Sequence, residues 1–249
     1  MPLQWTFQHN SHGPEPKALS SWADALNIST FLARLLWRRG VCSLPDMDHY
    51  LSPGLRHLPA LETWPAVICG AKVLAECIGQ GLRVGVWGDY DVDGITSTAL
   101  LVDFFRQKGV PVCSSLPDRF TDGYGLSVKG VERLAEQGVG VLLTVDCGIA
   151  DLDAVHRAKE LGLRVVVSDH HLPGPELPAA EVIVDPFLED ACPYAGVAGV
   201  GVAFLLMAAL NRLLPGEPVD VRHSLDLVAL GTIADVVPLT GVNRILVKN

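Results

Sequence analysis

The sequence predicts an α/β protein: a parallel, Rossmann-like sheet of about five strands flanked by helices, with an N-terminal helical extension. Three observations predict it. Short apolar β-type runs recur at 83–87, 110–113, 139–145, 164–167 and 182–184. Helical segments fit between them, at about 95–108, 127–137 and 151–161, so that strands and crossover helices alternate as βαβ units do. Runs without polar alternation, such as Val165-Val166-Val167, suit strands covered on both faces.

The remaining elements follow from helix start and stop signals. The first 18 or so residues mix Pro, Gly, His and Asn and predict an irregular arm. Residues 27–39 carry apolar side chains at helical spacing and stop before Gly40. A short helix is expected over about 44–51, ended by Pro53. A longer one is expected over 64–79, with Pro65 in its first turn and Gly81 just past its end. Beyond the sheet, 199–214 reads as a Leu-rich helix with small residues, 225–230 opens another, and 243–248 begins a further element. Arm and helical extension thus cover 1–63 and the α/β domain 64–249. The chain stops without a natural tail, as expected of a fragment of a longer protein.

Nearly half of the 249 residues are apolar and 19% are charged, which suits a chain with a sizeable core and not a disordered one. The formal net charge of −9 argues against a simple nucleic-acid-binding module, which would hold phosphates with Lys and Arg. It argues less against an enzyme whose acids hold metal ions, because bound dications reverse the local field. The cysteines at 42, 69, 77, 113, 147 and 192 form no C-x-x-C pair and are expected to be reduced core residues. The N-terminus lacks a basic region followed by an apolar one, and no apolar run reaches the ~20 residues of a membrane span. A cytoplasmic protein without membrane contact is expected.

In an open parallel sheet, ligands bind at the carboxyl ends of the strands. Polar clusters fall at those ends. The first is Gly88-Asp89-Tyr90-Asp91-Val92-Asp93-Gly94, after the first strand. Three acids this close repel one another unless a cation sits among them, although Asp93 could instead cap the next helix. The D-x-D-x-D-G pattern also opens a calcium EF-hand loop, but position twelve is Leu100, not Glu, and a strand precedes it. The second cluster, 116–126, offers Arg119 for a phosphate and Tyr124 for a base or sugar, or is a glycine-rich turn with a surface Arg. Asp146, in Val145-Asp146-Cys147-Gly148, has room for a ligand or caps a helix. The run Ser168-Asp169-His170-His171 pairs imidazoles with a carboxylate able to orient them. Asp235 is a single acid in the apolar run 231–239; it needs a partner, or serves as a cap. Together these make an oxygen-rich donor set with nitrogen. That set suits Mn²⁺ or Mg²⁺, one or two ions, better than zinc, and two such ions are a standard device for phosphate-ester hydrolysis.

In this order the clusters resemble the DHH phosphoesterases, whose name matches Asp169-His170-His171, and among them most closely the RecJ branch. The stretches 89–97, 116–126, 144–148, 198–204 and 231–239 carry the likeness, which runs from about residue 30 to the end. The resemblance implies two metal sites, one held by Asp91 and Asp146 with help from Asp89, the other by Asp93, Asp146, His170 and Asp235. It implies that His171 contacts the scissile phosphate or supports the metal ligands from behind, that Asp169 orients the histidines, and that Arg119 and Tyr124 meet substrate. The 199–201 glycines would allow close helix packing or present amides to a phosphate. It implies 5′-to-3′ hydrolysis of single-stranded DNA in recombination and repair, with a single-stranded-DNA-binding protein and a recombination helicase as partners. DHHA1-type and OB-type domains would follow in a longer chain. Two alternatives stand beside this: a DHH enzyme for short oligonucleotides or cyclic dinucleotides, and a non-catalytic scaffold. Trp87 and Tyr90 depart from the His-x-x-Pro-Asp-x-Asp opening of the small-substrate branches, and the expected ligands are intact.

Overall fold

A computed structural model describes residues 17–119 and 123–249. Most of the expected N-terminal arm, and positions 120–122 of the second cluster, lie outside them. The chain divides into two compact units, one ending at Arg56 and one running from His57 to Asn249.

The first unit holds α1 (Leu19–Ala25), α2 (Thr30–Arg38) and α3 (Leu44–Leu51) around Leu19, Ala23, Ala33, Leu36, Trp37 and Met47. Helix α1 adds to the elements read from the sequence. It is seven residues long, has no side-chain cap, and buries only Leu19 and Ala23, too little periodicity to signal a helix. Helix α2 begins at Thr30, not 27, because the Ser29 hydroxyl accepts the Leu32 amide at 3.2 Å. Ser43 caps α3 in the same way, over the expected span.

In the second unit, α4 (Pro65–Gly79) precedes β1 (Arg83–Gly88), and α5 (Val92–Gln107) leads to β2 (Val112–Ser115). Then come α6 (Val128–Glu136), β3 (Val139–Val145), α7 (Leu152–Glu160), β4 (Arg164–Ser168) and β5 (Val182–Val184). Helices α8 (Gly199–Asn211), α9 (Leu225–Ala234) and α10 (Gly241–Lys248) complete it. Among the described residues the five strands form one sheet in the order β2-β1-β3-β4-β5, every pair parallel. Strand β2 starts two residues later than expected, since Pro111 has no N–H for the ladder and its carbonyl instead accepts the Val84 amide.

Helices α6 and α7 cover one face, packing Val131, Leu134 and Val155 on Trp87, Leu142, Val165 and Val167. The intervening residue Val166, with Val184, faces Gly70 of α4 and Leu206 of α8 on the other side. Alternate residues of β4 therefore enter two cores, which is why its valines run without a polar break. Cys77, Cys147 and Cys192 are buried as expected and all six cysteines are free. Cys69 and Cys42 are exposed, against the core reading. The helical period that turns Val67, Gly70, Ala71 and Leu74 inward leaves Cys69 on the outer face of α4, and Cys42 lies past the end of α2.

Gly130 sits against buried Trp87, and an added Cβ would lie 2.2 Å from the indole Cη2, whereas nothing approaches within 4 Å of a Cβ on Gly79. Gly130→Ala is expected to destabilise the protein by about 1–3 kcal/mol through overpacking. Gly79→Ala should be neutral or stabilise it by up to ~1 kcal/mol. Urea unfolding of both variants checks the pair; equal effects would contradict the packing described.

Candidate metal centre

The parallel register aligns the strand ends. Gly88 pairs with Val145, Val145 with Ser168, and Ser168 with Val184. The next residue of each strand is an acid: Asp89, Asp146, Asp169 and Asp185. The strand order reverses between β1 and β3, and a crevice opens at such a switch point. All four acids are buried, Asp89 and Asp185 completely.

Asp91, not Asp93, caps α5: its Oδ1 accepts the Gly94 amide at 3.0 Å. Asp93 lies in the first turn and points to the start of α8, where it accepts the Gly199 amide at 2.7 Å and the Val200 amide at 2.9 Å. The helix N-terminus is thus turned on a carboxylate of the protein, and those two amides do not present themselves to a phosphate. Gly199 serves close packing: a Cβ there would lie 2.5 Å from Asp146 Oδ1. Asp235, at the C-terminal end of α9, reaches the same place because α9 packs along α5.

These side chains converge on the His170 imidazole. Nε2 is 3.1 Å from Asp146 Oδ1, 3.7 Å from Asp93 Oδ2 and 3.8 Å from Asp235 Oδ2. Neither Asp146 oxygen nor His170 Nε2 has a hydrogen-bond partner, and all three atoms are buried. Asp146 also has φ 61°, a left-handed backbone uncommon outside glycine. Burial, then the charges of Asp93 and Asp91, pushes its carboxyl up to about 10. Burial also raises Asp93, to about 6, against the opposing pull of the Val200 amide and His170. Asp89 and Asp235 are raised by burial and by Asp91.

Among the described residues, two sets of three donors lie with ligand atoms within 4.8 Å of one another: Asp93, His170 and Asp235, and Asp146, His170 and His171. Hard oxygens with imidazole nitrogen suit Mn²⁺ or Mg²⁺. The buried, unpartnered atoms of Asp146 and His170 fit such an ion. Asp89 and Asp91 stand in neither set, although Asp91 is near enough to raise Asp146.

The Asp169 carboxylate organises the histidines. Oδ1 accepts the His170 amide at 2.7 Å and the His171 amide at 3.2 Å, and lies 2.7 Å from His171 Nδ1. Oδ2 accepts the Ile149 amide at 2.9 Å. Burial alone would raise this carboxyl, but His171 and these amides hold it below the usual range. The hydrogen bond to Asp169 raises His171 in turn. On its far side, His171 Nε2 meets the Tyr124 hydroxyl at 3.0 Å. Tyr124 packs edge-on against Tyr90, and the exposed Arg119 guanidinium lies 5.5 Å from the centre of the Tyr90 ring. Arg119 and Tyr124 thus stand on one aromatic wall beside the cluster.

Sequence reasoning missed two members of this arrangement. Tyr90 joins Arg119 to Tyr124. Asp185 follows β5 as Asp146 follows β3, and burial, with Asp169 nearby, pushes its carboxyl up to about 7. The same strand-end position could have flagged Asp185.

Residues 83–232 match the model of the DHH family, N-terminal domain. Single-stranded-DNA-specific exonuclease RecJ of Escherichia coli is 42% identical over 88% of this chain and 39% of its own length. The RecJ of Bacillus subtilis is 37% identical over 98% of this chain and 30% of its own. A crystal structure of RecJ in complex with Mn²⁺ from Thermus thermophilus superposes with a TM-score of 0.77 at 36% identity, over 94% of this chain and 33% of that one. The chain spans about two fifths, or less, of the length of these curated relatives.

The raised carboxyls fix the sign of a pH effect. An acid whose folded pKa exceeds its unfolded value near ~3.9 stabilises the fold below that value and loses the contribution as pH climbs through the folded pKa. With Asp93 about 6 and Asp146 about 10, the melting temperature in EDTA should fall between pH 5 and 8. Saturating Mn²⁺ should restore most of the loss at pH 8, because the ion replaces the proton. A melting temperature that rises over this range in EDTA would contradict the cluster's electrostatics.

Proposed function

The chain belongs to the DHH family, and from that premise we propose that it hydrolyses phosphodiester bonds of single-stranded DNA with bound Mn²⁺ or Mg²⁺. The observation that carries the proposal is the 3.1 Å approach of Asp146 Oδ1 to His170 Nε2, buried and without a hydrogen bond. Two acceptors this close require a proton or a cation between them. The RecJ relatives are named as single-stranded-DNA-specific exonucleases, and their solved structures carry Mn²⁺ or Mg²⁺. Exonucleolytic action in the 5′-to-3′ direction, a cytoplasmic role in recombination and repair, and a single-stranded-DNA-binding protein and helicase as partners extend the proposal on the resemblance set out above. Among the described residues no helix is long and apolar enough to cross a membrane.

Asp93, Asp146, His170 and Asp235 are proposed as the ligands of one ion, with Asp146 shared with a second site that Asp91 and Asp89 approach. Bound dications polarise a phosphate oxygen and lower the pKa of water. The protein's own groups prepare the rest. Asp169 fixes the His171 ring and holds the His170 backbone amide, while His170 Nε2 is aimed into the acidic cluster. His171 and Tyr124, joined at 3.0 Å, form a polar edge for the scissile phosphate. Arg119 supplies a planar cation for a flanking phosphate, and Tyr124, half-exposed, an aromatic face for a base.

Asp146→Asn is expected to abolish hydrolysis, by more than ~10²-fold, since it removes a ligand charge. Asparagine tolerates the left-handed backbone and carries no buried acid, so melting in EDTA should be unchanged or raised. Digestion of 5′-labelled single strands, duplexes and dinucleotides, with and without Mn²⁺, checks the reading. Wild-type activity on single strands that persists in Asp146→Asn would refute the ligand role. Activity confined to dinucleotides would refute the substrate.

A further inference from the structure

We infer that Asp151 is a positioning residue that holds the Tyr124 segment on His171, closing a hydrogen-bonded ring around the edge of the metal centre. The inference rests on the proposed function only for the consequence in catalysis; the ring itself is a matter of geometry.

Asp151 stands at the N-cap position of α7, where an aspartate ordinarily accepts amides of its own first turn. It makes no such side-chain bond. Its Oδ2 instead accepts the Leu126 amide, 25 residues back in the chain, at 2.7 Å. The local capping interaction is given up for a distant one. Burial raises the carboxyl despite the Leu126 bond, so the placement also goes against the solvation of the acid.

The residue next to this bond is committed to it. Gly125 has φ 77°, and a Cβ on it would lie 2.7 Å from Asp151 Oδ2. Its carbonyl accepts the indole Nε1–H of buried Trp87 at 3.2 Å. Asp151 from α7 and Trp87 from β1 thus grip the backbone on either side of one peptide. Tyr124 is the preceding residue, and its hydroxyl meets His171 Nε2 at 3.0 Å.

The circuit closes through Asp169. His171 Nδ1 lies 2.7 Å from Asp169 Oδ1, and Asp169 Oδ2 accepts the Ile149 amide at 2.9 Å. Ile149 is two residues before Asp151. One circuit therefore runs from Asp169 through His171, Tyr124, Leu126 and Asp151 back to Ile149. Both ring nitrogens of His171 are engaged in it, so the imidazole cannot turn without moving Tyr124. A local rule broken beside a functional site, with the lost interaction redirected toward that site, is the pattern expected of a device for preorganisation.

The test reads Tyr124 directly. The protein labelled with 3-fluorotyrosine carries four tyrosines, and Tyr124→Phe assigns the Tyr124 ¹⁹F resonance. Asp151→Ala and Asp151→Ser are expected to shift or broaden that resonance and leave the Tyr50 and Tyr194 signals in place. Serine can cap α7 but is too short to reach Leu126, so it separates loss of the cap from loss of the clamp. Asp151→Asn, whose side-chain oxygen still accepts the amide, should restore the wild-type signal. With Mn²⁺ and a labelled single strand, Asp151→Ser should lower kcat/KM on the order of tenfold to a hundredfold. The same change made on Tyr124→Ala should cost no more, because a residue acting through Tyr124 is not additive with it. An unchanged Tyr124 resonance in Asp151→Ser, or full additivity with Tyr124→Ala, would overturn the inference. An inactive wild-type protein would count against the proposed function alone, since the resonance still decides the clamp.

Discussion

Asp146 and His170 meet at 3.1 Å, out of solvent, with no hydrogen bond to reconcile them. The rest of the site follows from what it takes to hold that contact. A buried carboxylate facing an imidazole nitrogen and further acids is stable only when it takes a proton or a cation. The surrounding structure over-determines the arrangement. The backbone of Asp146 is in the left-handed region, Gly199 leaves no Cβ to push its carboxylate away, and the amide end of α8 neutralises Asp93 next to it. A solvated loop would have let these charges separate.

The fold delivers this convergence through register. Four strands end in line, so one acid from each emerges along the same rim, at the point where strand order reverses. Asp93 and Asp235 come from outside the sheet, and their arrival depends on α5, α8 and α9 packing together. Behind the rim, valine runs buried on both faces keep the strand ends rigid. The histidines are fixed in turn by a single carboxylate that accepts three amides and one imidazole contact.

Much of this was legible before the structure. Hydrophobic runs of the right length located all five strands, since strands buried on both faces lack polar interruptions. Asp91, Asp93, Asp146 and His170 stand out because they follow apolar strands, and Asp235 because a lone acid in an apolar run needs a partner. Other features depend on three-dimensional context. Which aspartate caps α5 is decided by backbone geometry two residues apart: Asp91 takes the cap and frees Asp93 for α8. Helix α1 has too few buried residues to show a period. The exposure of Cys69 follows from the phase of α4 and not from its apolar neighbours. Asp151 reads as an ordinary helix cap until its contact 25 residues away is seen.

Where the metal binds is the most direct test of this site. Crystals of the chain grown with Mn²⁺ and measured at the manganese absorption edge would locate the ion by anomalous scattering. Anomalous density bounded by Asp93, Asp146, His170 and Asp235 is expected. Clear density elsewhere, with this cluster empty and Asp146 still facing His170, would contradict that placement.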